Sequence, residues 1–261
     1  MTKQWITFDL DGTLMQNPFG KWVFPEIAQT VSGELGRPYD AVAELVAEHE
    51  RRMAQGRYVE AYDWDEMLEG LCARLGIKKS CDIEELVQKH CVPPKVHLLE
   101  SGTAEALEEI KKLGFSLAVV TNGFYKYQAP VMEALGLLSL FEVVITPERV
   151  GTGKPDPAVF RALPGEVFAH VGDRLDHDVQ LANKCNVISI LIERSLDCKG
   201  IDLEPEKRAT DQKVLQWCLD KWRRESGEQL STVVLPDVFI PRVVVFSVRE
   251  LLSLLKEWKG G

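Results

Sequence analysis

Short, continuous apolar runs recur along the chain and predict β-strands. The first is WITF at residues 5–8. Similar runs follow at 115–121, 142–146, 167–172, 187–192 and 242–247. Because these runs are continuous rather than alternating, they are typical of strands buried on both faces of a parallel sheet.

Helix-like segments lie between several of these strands. They are TAEALEEIKKLG (103–114), YQAPVMEALG (127–136) and DHDVQLANKCN (176–186). Gly114 and Gly136 close the first two, as glycine commonly does at helix ends. The alternation of strand and helix predicts an α/β fold, with a parallel sheet covered by helices on both faces. In such folds the ligand site forms at the carboxyl ends of the strands.

Two regions interrupt this alternation. Residues 17–97 have apolar positions at three- and four-residue intervals and predict an all-helical insertion after the first strand. Residues 196–241 contain a charged helix candidate at 205–226 and then STVVLPDVFIP, and we consider both an interface and an extra sheet edge for this extension of unknown role. The α/β core is therefore predicted to comprise residues 1–16, 98–195 and 242–261.

Composition narrows the range of partners. With 45% hydrophobic and 27% charged residues, the 261-residue chain is typical of a globular protein. A net charge of −9 argues against a nucleic-acid polymer or an anionic membrane as the main partner. Since no leader or bilayer-length apolar run is visible, we expect a cytoplasmic protein. The six cysteines form no CxxC pair and are expected to be reduced thiols.

Four polar segments follow predicted strands. They are DLDGT (9–13), TNG (121–123), GKPDP (153–157) and GDRLDHD (172–178). Each alone is compatible with a plain turn, because Asp, Asn, Gly and Pro are the commonest turn residues. Four such segments at strand ends are harder to explain as turns only, and they predict a shared site.

Acidic residues dominate the predicted site. If Asp9, Asp11, Asp173 and Asp178 converge, unit charges about 4 Å apart repel by about 4 kcal/mol at an effective dielectric near 20. Such a cluster calls for a cation, and compact sets of carboxylates suit Mg²⁺. With Lys154, this cation would also draw a phosphate into an acidic protein.

The four segments, in this order, resemble the motifs of the haloacid dehalogenase (HAD) superfamily. DLDGT matches its DxDx[TV] motif, TNG its Thr or Ser after a strand, GKPDP its Lys, and GDRLDHD its paired acids. The resemblance covers residues 1 to about 195. It implies a Rossmann-like parallel sheet core (HAD-like) with a helical C1 cap domain at residues 17–97.

The resemblance also implies a role for each matched residue. Asp9 would attack phosphorus and form an aspartyl phosphate, while Asp11 would protonate the leaving oxygen and then activate water. Thr121 and Asn122 would bind the phosphoryl oxygens, and Lys154 would offset their charge. The metal set would be Asp9, Asp11 through its main-chain carbonyl, Asp173 and Asp178, the last acting through water or by holding Lys154.

Asp11 separates the branches of this superfamily. Dehalogenases lack an acid at this position and need no metal, so Asp11 favours a phosphatase acting on a small phosphorylated metabolite. A phosphomutase stays an alternative because it keeps both acids. A HAD-like binding or regulatory protein that has lost catalysis is disfavoured, since the nucleophile Asp9 and Lys154 are both present. The stretch from residue 121 to 160 most resembles the branch that contains nucleotide 5′-monophosphatases and related small-metabolite phosphatases, which favours a nucleotide or sugar phosphate.

Several residues of the insertion have two possible interpretations. Aromatic and basic residues of the insertion either line the substrate cleft or form the core of the cap: Trp22, Phe24, Arg57, Tyr58, Tyr62 and Trp64. Asp176 and His177 are expected to be solvated, and Thr13 to cap the turn after the first strand. The oligomeric state and the resting position of the cap stay open.

Overall fold

A six-stranded parallel sheet forms the centre of the protein. We describe it from a computed structural model covering residues 3–227 and 234–260, without the side chains of 197–199. The strands in the described residues are β1 (Gln4–Phe8), β2 (Met15–Gln16), β3 (His97–Leu98), β4 (Ser116–Val120), β5 (Val143–Ile145), β6 (Glu166–Gly172), β7 (Ile188–Ile192) and β8 (Val243–Val245). The order in the large sheet is β5-β4-β1-β6-β7-β8. The predicted α/β fold class is confirmed, and each of the six apolar runs contains one strand of this sheet.

Strand β1 lies in the middle of the sheet between β4 and β6. Its last residue, Phe8, pairs with Val119 on one side and Val171 on the other. All six strands run in the same direction, so their carboxyl ends meet at one edge. The chain segment that begins at Asp9 therefore leaves the sheet at the centre of that edge.

Helices cover both faces of the sheet. The α-helices of the described residues are α1 (Phe24–Leu35), α2 (Ala41–Ala54), α3 (Tyr58–Ala61), α4 (Trp64–Leu75), α5 (Ile83–His90), α6 (Thr103–Lys112), α7 (Tyr125–Ala134), α8 (Pro147–Val150), α9 (Gln180–Lys184), α10 (Pro205–Arg208), α11 (Gln212–Ser226) and α12 (Val248–Gly260). On one face Ile6 and Phe8 pack with apolar residues of α6, α7 and α12. On the other face Trp5 packs with Leu181 of α9. In the described residues, no helix is both long enough and apolar enough to cross a membrane.

The insertion after β1 is helical, as predicted. Helices α1 to α5 all fall within residues 17–97. Three of them begin at an Asp whose side chain accepts a backbone N–H: Asp40, Asp63 and Asp82. Strands β2 and β3 pair antiparallel at the two points where the chain enters and leaves the insertion. We keep residues 17–97 as the proposed bounds of the cap.

The extension forms an additional helical layer. Helices α10 and α11 divide the predicted 205–226 helix, because residues 209–211 form a break between them. Helix α11 packs on a π-helical turn, Leu175–Val179, through a separate apolar cluster that includes Cys218 and Trp222. The described residues of 196–241 contain no strand, and residues 228–233 lie outside the described part.

Candidate active site

The acids predicted from the sequence converge at the carboxyl edge of the sheet. Asp9 follows β1, while Asp173 and Asp178 follow β6. One carboxylate oxygen from each of the three lies within 4.8 Å of the others. Asp9 and Asp178 are buried and Asp173 is partly buried, so the convergence places several acidic groups in a space with little solvent.

Lys154 supplies the cation at the centre of the acid cluster. Its side chain is only 2% exposed, and its Nζ donates hydrogen bonds of 2.6 Å to Asp9 Oδ1 and 2.6 Å to Asp178 Oδ1. Burial alone would lower the pKa of Lys154, but Asp178 and Asp9 hold it above its ordinary value. Lys154 is therefore charged, as the sequence suggested, and is bound between two acids.

Asp178 is held on both of its oxygens. Besides Lys154, Oδ1 lies 3.0 Å from His170 Nε2, and Oδ2 accepts the Arg174 backbone N–H at 3.0 Å. Burial opposes ionisation, yet Lys154 and His170 keep the pKa of Asp178 well below its usual range. The geometry favours the second of the two predicted roles, holding Lys154. His170 was missed because a histidine inside a strand carries no motif signal.

Burial and neighbouring acids disfavour the ionised forms of both Asp9 and Asp173. Burial raises the pKa of Asp9 against the opposing effect of Lys154. Burial, and then the charges of Asp9 and Asp178, raise the pKa of Asp173 to about 8. The Thr13 hydroxyl lies 3.2 Å from one oxygen of each acid, Asp9 Oδ2 and Asp173 Oδ1. Thr13 thus contacts the acids, in addition to its expected place in the turn.

The turn after Asp9 requires a glycine. Gly12 has a φ of +82°, and a Cβ built on it would lie 2.6 Å from Asp173 Oδ2. Arg194 holds the same turn from the other side, because its guanidinium donates to Gly12 O at 3.2 Å and Thr13 O at 2.7 Å. Arg194 is fixed by Glu100 at 2.6 Å. This contact could not be predicted from the sequence, because it joins residues far apart in the chain.

Asp11 has a different environment from Asp9. Its Oδ2 accepts a 2.6 Å hydrogen bond from Gln128 Nε2. Its Oδ1 is buried and has no hydrogen-bond partner in the described residues. Burial, with the charge of Asp9, raises the pKa of Asp11 to about 6. A carboxyl group of this kind can hold or release a proton near neutral pH.

The TNG segment and Lys154 are joined directly. The Asn122 side chain accepts the Lys154 backbone N–H at 2.7 Å and donates to Lys154 O at 3.0 Å. The Thr121 hydroxyl accepts the Gly123 backbone N–H at 3.3 Å. Both residues are buried beside the acids, and their roles toward a phosphoryl group stay predictions.

A cavity of about 770 Å³ is lined by residues that flank the acid cluster in sequence, among them Pro155, Arg174 and Asp176, and not by the clustered acids themselves. Its walls come from helix α2 and the nearby Tyr58 and Tyr62, from the core loops around Pro155 and Arg174, and from the end of α11 with Lys221. This volume lies within the range of pockets that enclose small organic ligands. A leaving group that extends from the acid cluster would find aromatic and charged side chains here.

The aromatic and basic residues of the insertion divide between the two predicted locations, the substrate cleft and the core of the cap. Tyr58 and Tyr62 line the cavity. Phe24 and Trp64 pack against each other, with ring centroids 5.0 Å apart. Trp22 is 40% exposed. These positions favour the cleft for the two tyrosines and the interior of the insertion for Phe24 and Trp64.

Arg57, Asp176 and His177 are the remaining residues whose surroundings were predicted from the sequence. Arg57 pairs with Glu60 at 3.2 Å and does not line the cavity. Asp176 and His177 were expected to be solvated, and this is wrong: their side chains are 17% and 12% exposed and line the cavity. Arg174 holds Asp176 with two hydrogen bonds, and burial lowers the pKa of His177 to about 4.

The acid cluster fits a hard divalent cation. Asp9 Oδ2 and Asp173 Oδ1 accept only the Thr13 hydroxyl among the described residues, so both acids keep coordination capacity. Burial, with the charges of Asp9 and Asp178, disfavours the ionised form of Asp173, and a divalent cation beside it would favour that form. Carboxylate oxygens are the ligands that Mg²⁺ prefers. The residues present are therefore suited to Mg²⁺.

Comparison with known proteins identifies the family of this chain. The family profile described as haloacid dehalogenase-like hydrolase matches residues 3–186. A glyceraldehyde 3-phosphate phosphatase from Methanopyrus kandleri is 32% identical over 105 residues, covering 38% of this chain and 44% of that protein. A phosphoserine phosphatase from Thermus thermophilus is 34% identical over 115 residues, covering 41% of this chain and 46% of that protein. The chain thus spans less than half the length of these curated relatives.

A solved structure shares the fold over nearly the whole chain. It is a HAD phosphatase from Thermococcus onnurineus, which matches with a TM-score of 0.65 and covers 98% of both chains. Its sequence is 23% identical to this one. The likeness extends past residue 186 and includes the region of the extension.

Proposed function

The chain belongs to the haloacid dehalogenase-like hydrolase family, and we propose that it is a Mg²⁺-dependent phosphatase acting through an aspartyl phosphate on Asp9. The observation that carries this proposal is the unequal environment of two acids two residues apart. Asp9 accepts a hydrogen bond from the cation of Lys154, whereas Asp11 accepts one from the neutral amide of Gln128 and has one buried oxygen without a partner in the described residues. One acid suits a nucleophile and the other a proton carrier.

In the first half-reaction, a carboxylate oxygen of Asp9 attacks phosphorus and the bond from phosphorus to the leaving oxygen breaks. Asp11 gives its proton to that leaving oxygen, so the alcohol departs neutral. Lys154, 2.6 Å from Asp9, offsets the negative charge of the nucleophile and of the transferring group. The products are the alcohol and a phosphorylated Asp9.

In the second half-reaction, water attacks phosphorus and the bond from phosphorus to Asp9 breaks. Asp11, now ionised, takes the proton of the attacking water. Asp9 is restored as a carboxylate and inorganic phosphate leaves. A pKa of about 6 suits Asp11 to both tasks, because neither the acid nor the base form is scarce near neutral pH.

Mg²⁺ would be held by Asp9, Asp173 and the main-chain carbonyl of Asp11. It would supply positive charge beside the phosphoryl oxygens. Asp178 would keep Lys154 in place from the other side. Thr121 and the Asn122 backbone would bind the phosphoryl oxygens that Lys154 does not reach.

The substrate is proposed to be a small phosphorylated metabolite. The two phosphatase relatives are named for three-carbon phosphate esters. The cavity of about 770 Å³ also offers room for a sugar or nucleoside, and Tyr58 and Tyr62 offer ring surfaces for it. Both substrate classes therefore belong in the test.

The test is a phosphate-release screen with and without Mg²⁺. The panel comprises nucleoside monophosphates, sugar phosphates and three-carbon phosphates, and the control is Asp9→Asn, which keeps the shape of the side chain. We expect Mg²⁺-dependent release from at least one ester and none from the variant. Equal release by both proteins, or none from any ester by a folded wild type, would contradict the proposal.

A further inference from the structure

Helix α11 contacts the loop that carries two of the active-site acids. The Glu225 carboxylate accepts the backbone N–H of Leu175 at 2.8 Å. Leu175 lies between Asp173 and Asp178, two residues after the first and three before the second. Glu225 therefore binds the middle of the loop formed by residues 173–178, which we call the acid loop. Glu225 itself lies beyond residue 186, where the match to the family profile ends.

A second contact fixes the position of the Glu225 side chain. Lys221, one turn earlier on α11, lies 3.1 Å from Glu225 and 3.7 Å from Glu193. Glu193 directly follows strand β7. The side chains of Lys221 and Glu225 are 16% and 9% exposed, so water competes little for these contacts. Helix α11 is thus tied to the carboxyl ends of two neighbouring strands.

Apolar packing sets the distance between α11 and the acid loop. Leu175 and Val179 of the loop are buried in one cluster with Val214, Cys218 and Trp222 of the helix. Beside this cluster, the backbone N–H of Leu175 has Glu225 as its acceptor, and Glu225 also lines the cavity. Without Glu225 the buried N–H would lack its partner, which is costly enough to favour a different loop conformation.

We propose that Glu225 is a positioning residue of the active site, which holds the Asp173–Asp178 loop in the conformation that binds Mg²⁺. The inference rests on the proposed function. It assigns to the extension, whose role the sequence left open, the task of fixing the geometry of the acids. Glu225 does not touch the reacting atoms and acts through the Leu175 N–H. Groups that hydrogen-bond to a metal ligand directly typically change metal affinity about 10–100-fold when removed, and Glu225, which acts through the backbone, is expected at the lower end of this range.

Two variants separate positioning from charge. Glu225→Ala removes the acceptor, whereas Glu225→Gln keeps a side-chain carbonyl that can accept the Leu175 N–H. Glu257→Ala, at an exposed position of α12, is the matched control. The primary measurement is Mg²⁺ binding to the protein by isothermal titration calorimetry, with kcat, KM and the melting temperature measured alongside.

We expect Glu225→Ala to bind Mg²⁺ about tenfold more weakly than the control and to lose kcat at low Mg²⁺. High Mg²⁺ should restore part of the lost kcat. Because Mg²⁺ would also stabilise a generally weakened fold, the melting temperature without Mg²⁺ should stay close to that of the control. Glu225→Gln should stay close to wild type in Mg²⁺ affinity. If Glu225→Ala does not fold, Lys221→Met provides the same readout, because Glu225 then loses the cation that fixes it.

Two results would overturn the inference. Equal Mg²⁺ affinity in Glu225→Ala and Glu257→Ala would overturn the inference about Glu225 but not the proposed function, provided the wild type binds Mg²⁺ and releases phosphate. A wild type that binds no Mg²⁺ would overturn the metal part of the proposed function together with this inference. The wild-type titration is therefore the first arm of the experiment.

Discussion

Gln128 Nε2 donates a 2.6 Å hydrogen bond to Asp11 Oδ2, linking helix α7 to the loop after the central strand. Gln128 is buried, and so is the unpartnered oxygen of Asp11 in the described residues. The amide therefore engages Oδ2 and leaves Oδ1 as the oxygen that would transfer the proton in the proposed reaction. It also lowers the pKa of Asp11, against the larger effect of burial.

Gln128→Met tests this contact. Removing the donor destabilises the ionised form of Asp11, so we expect its pKa to rise above about 6. The limb of the pH profile of kcat that Asp11 controls should move to higher pH, and kcat should fall about tenfold. Gln88→Met, at an exposed position of α5, is the control. An unchanged pH profile in Gln128→Met would contradict the role of Gln128.

Lys154→Met tests the ion network of the site. The change leaves Asp9 and Asp178 buried without their shared cation, and breaking a buried pair in this way costs about 3–5 kcal/mol. We expect a loss of this size in the free energy of unfolding, measured by urea denaturation at neutral pH without metal. Phosphate release should also fall to background.

The control for this prediction is Lys213→Met, at an exposed position of α11. The double variant Lys154→Met/Asp178→Asn should recover part of the lost stability, because it removes one of the two uncompensated charges. A double variant less stable than Lys154→Met alone would contradict the account of the ion network.

The sequence predicted the sheet and the acid cluster well, for a physical reason. Buried parallel strands need continuous apolar runs, and their carboxyl ends meet at one edge, so residues such as Asp9 and Asp173 are placed together by topology alone. Gln128, Arg194 and Glu225 escaped prediction because each acts through a contact between distant segments. Their residue types are common on any helix or loop, and only the packed structure shows which atoms they meet.

Asp65 joins the helical insertion to the core. Its Oδ1 accepts from Lys79 Nζ at 2.9 Å and from the Ile83 N–H at 3.2 Å. Its Oδ2 accepts from Lys126 Nζ at 2.7 Å and from the Tyr127 hydroxyl at 3.0 Å. Lys126 and Tyr127 lie on α7, while Asp65 lies on α4 of the insertion. Burial opposes ionisation, but Lys126 and Lys79 hold the pKa of Asp65 at about 2.

The lowered pKa gives a pH-dependent prediction. The ionised carboxylate stabilises the fold fully above its unfolded pKa of 3.8, and this contribution is lost as the pH falls toward about 2. We expect Asp65→Asn to lower the free energy of unfolding by about 1–2 kcal/mol at pH 6. The difference from wild type should shrink between pH 4 and pH 2. A difference that stays constant over this range would contradict the prediction.

The most direct test of the central claim is where a phosphoryl analogue binds. A crystal structure of the protein with Mg²⁺ and beryllofluoride would show the group that attacks phosphorus, because beryllofluoride bonds to the nucleophilic carboxylate. We predict a beryllium–oxygen bond to Asp9, with Lys154 beside it and Asp11 not bonded to the analogue. A bond to any other side chain would contradict the assignment of Asp9 as the nucleophile.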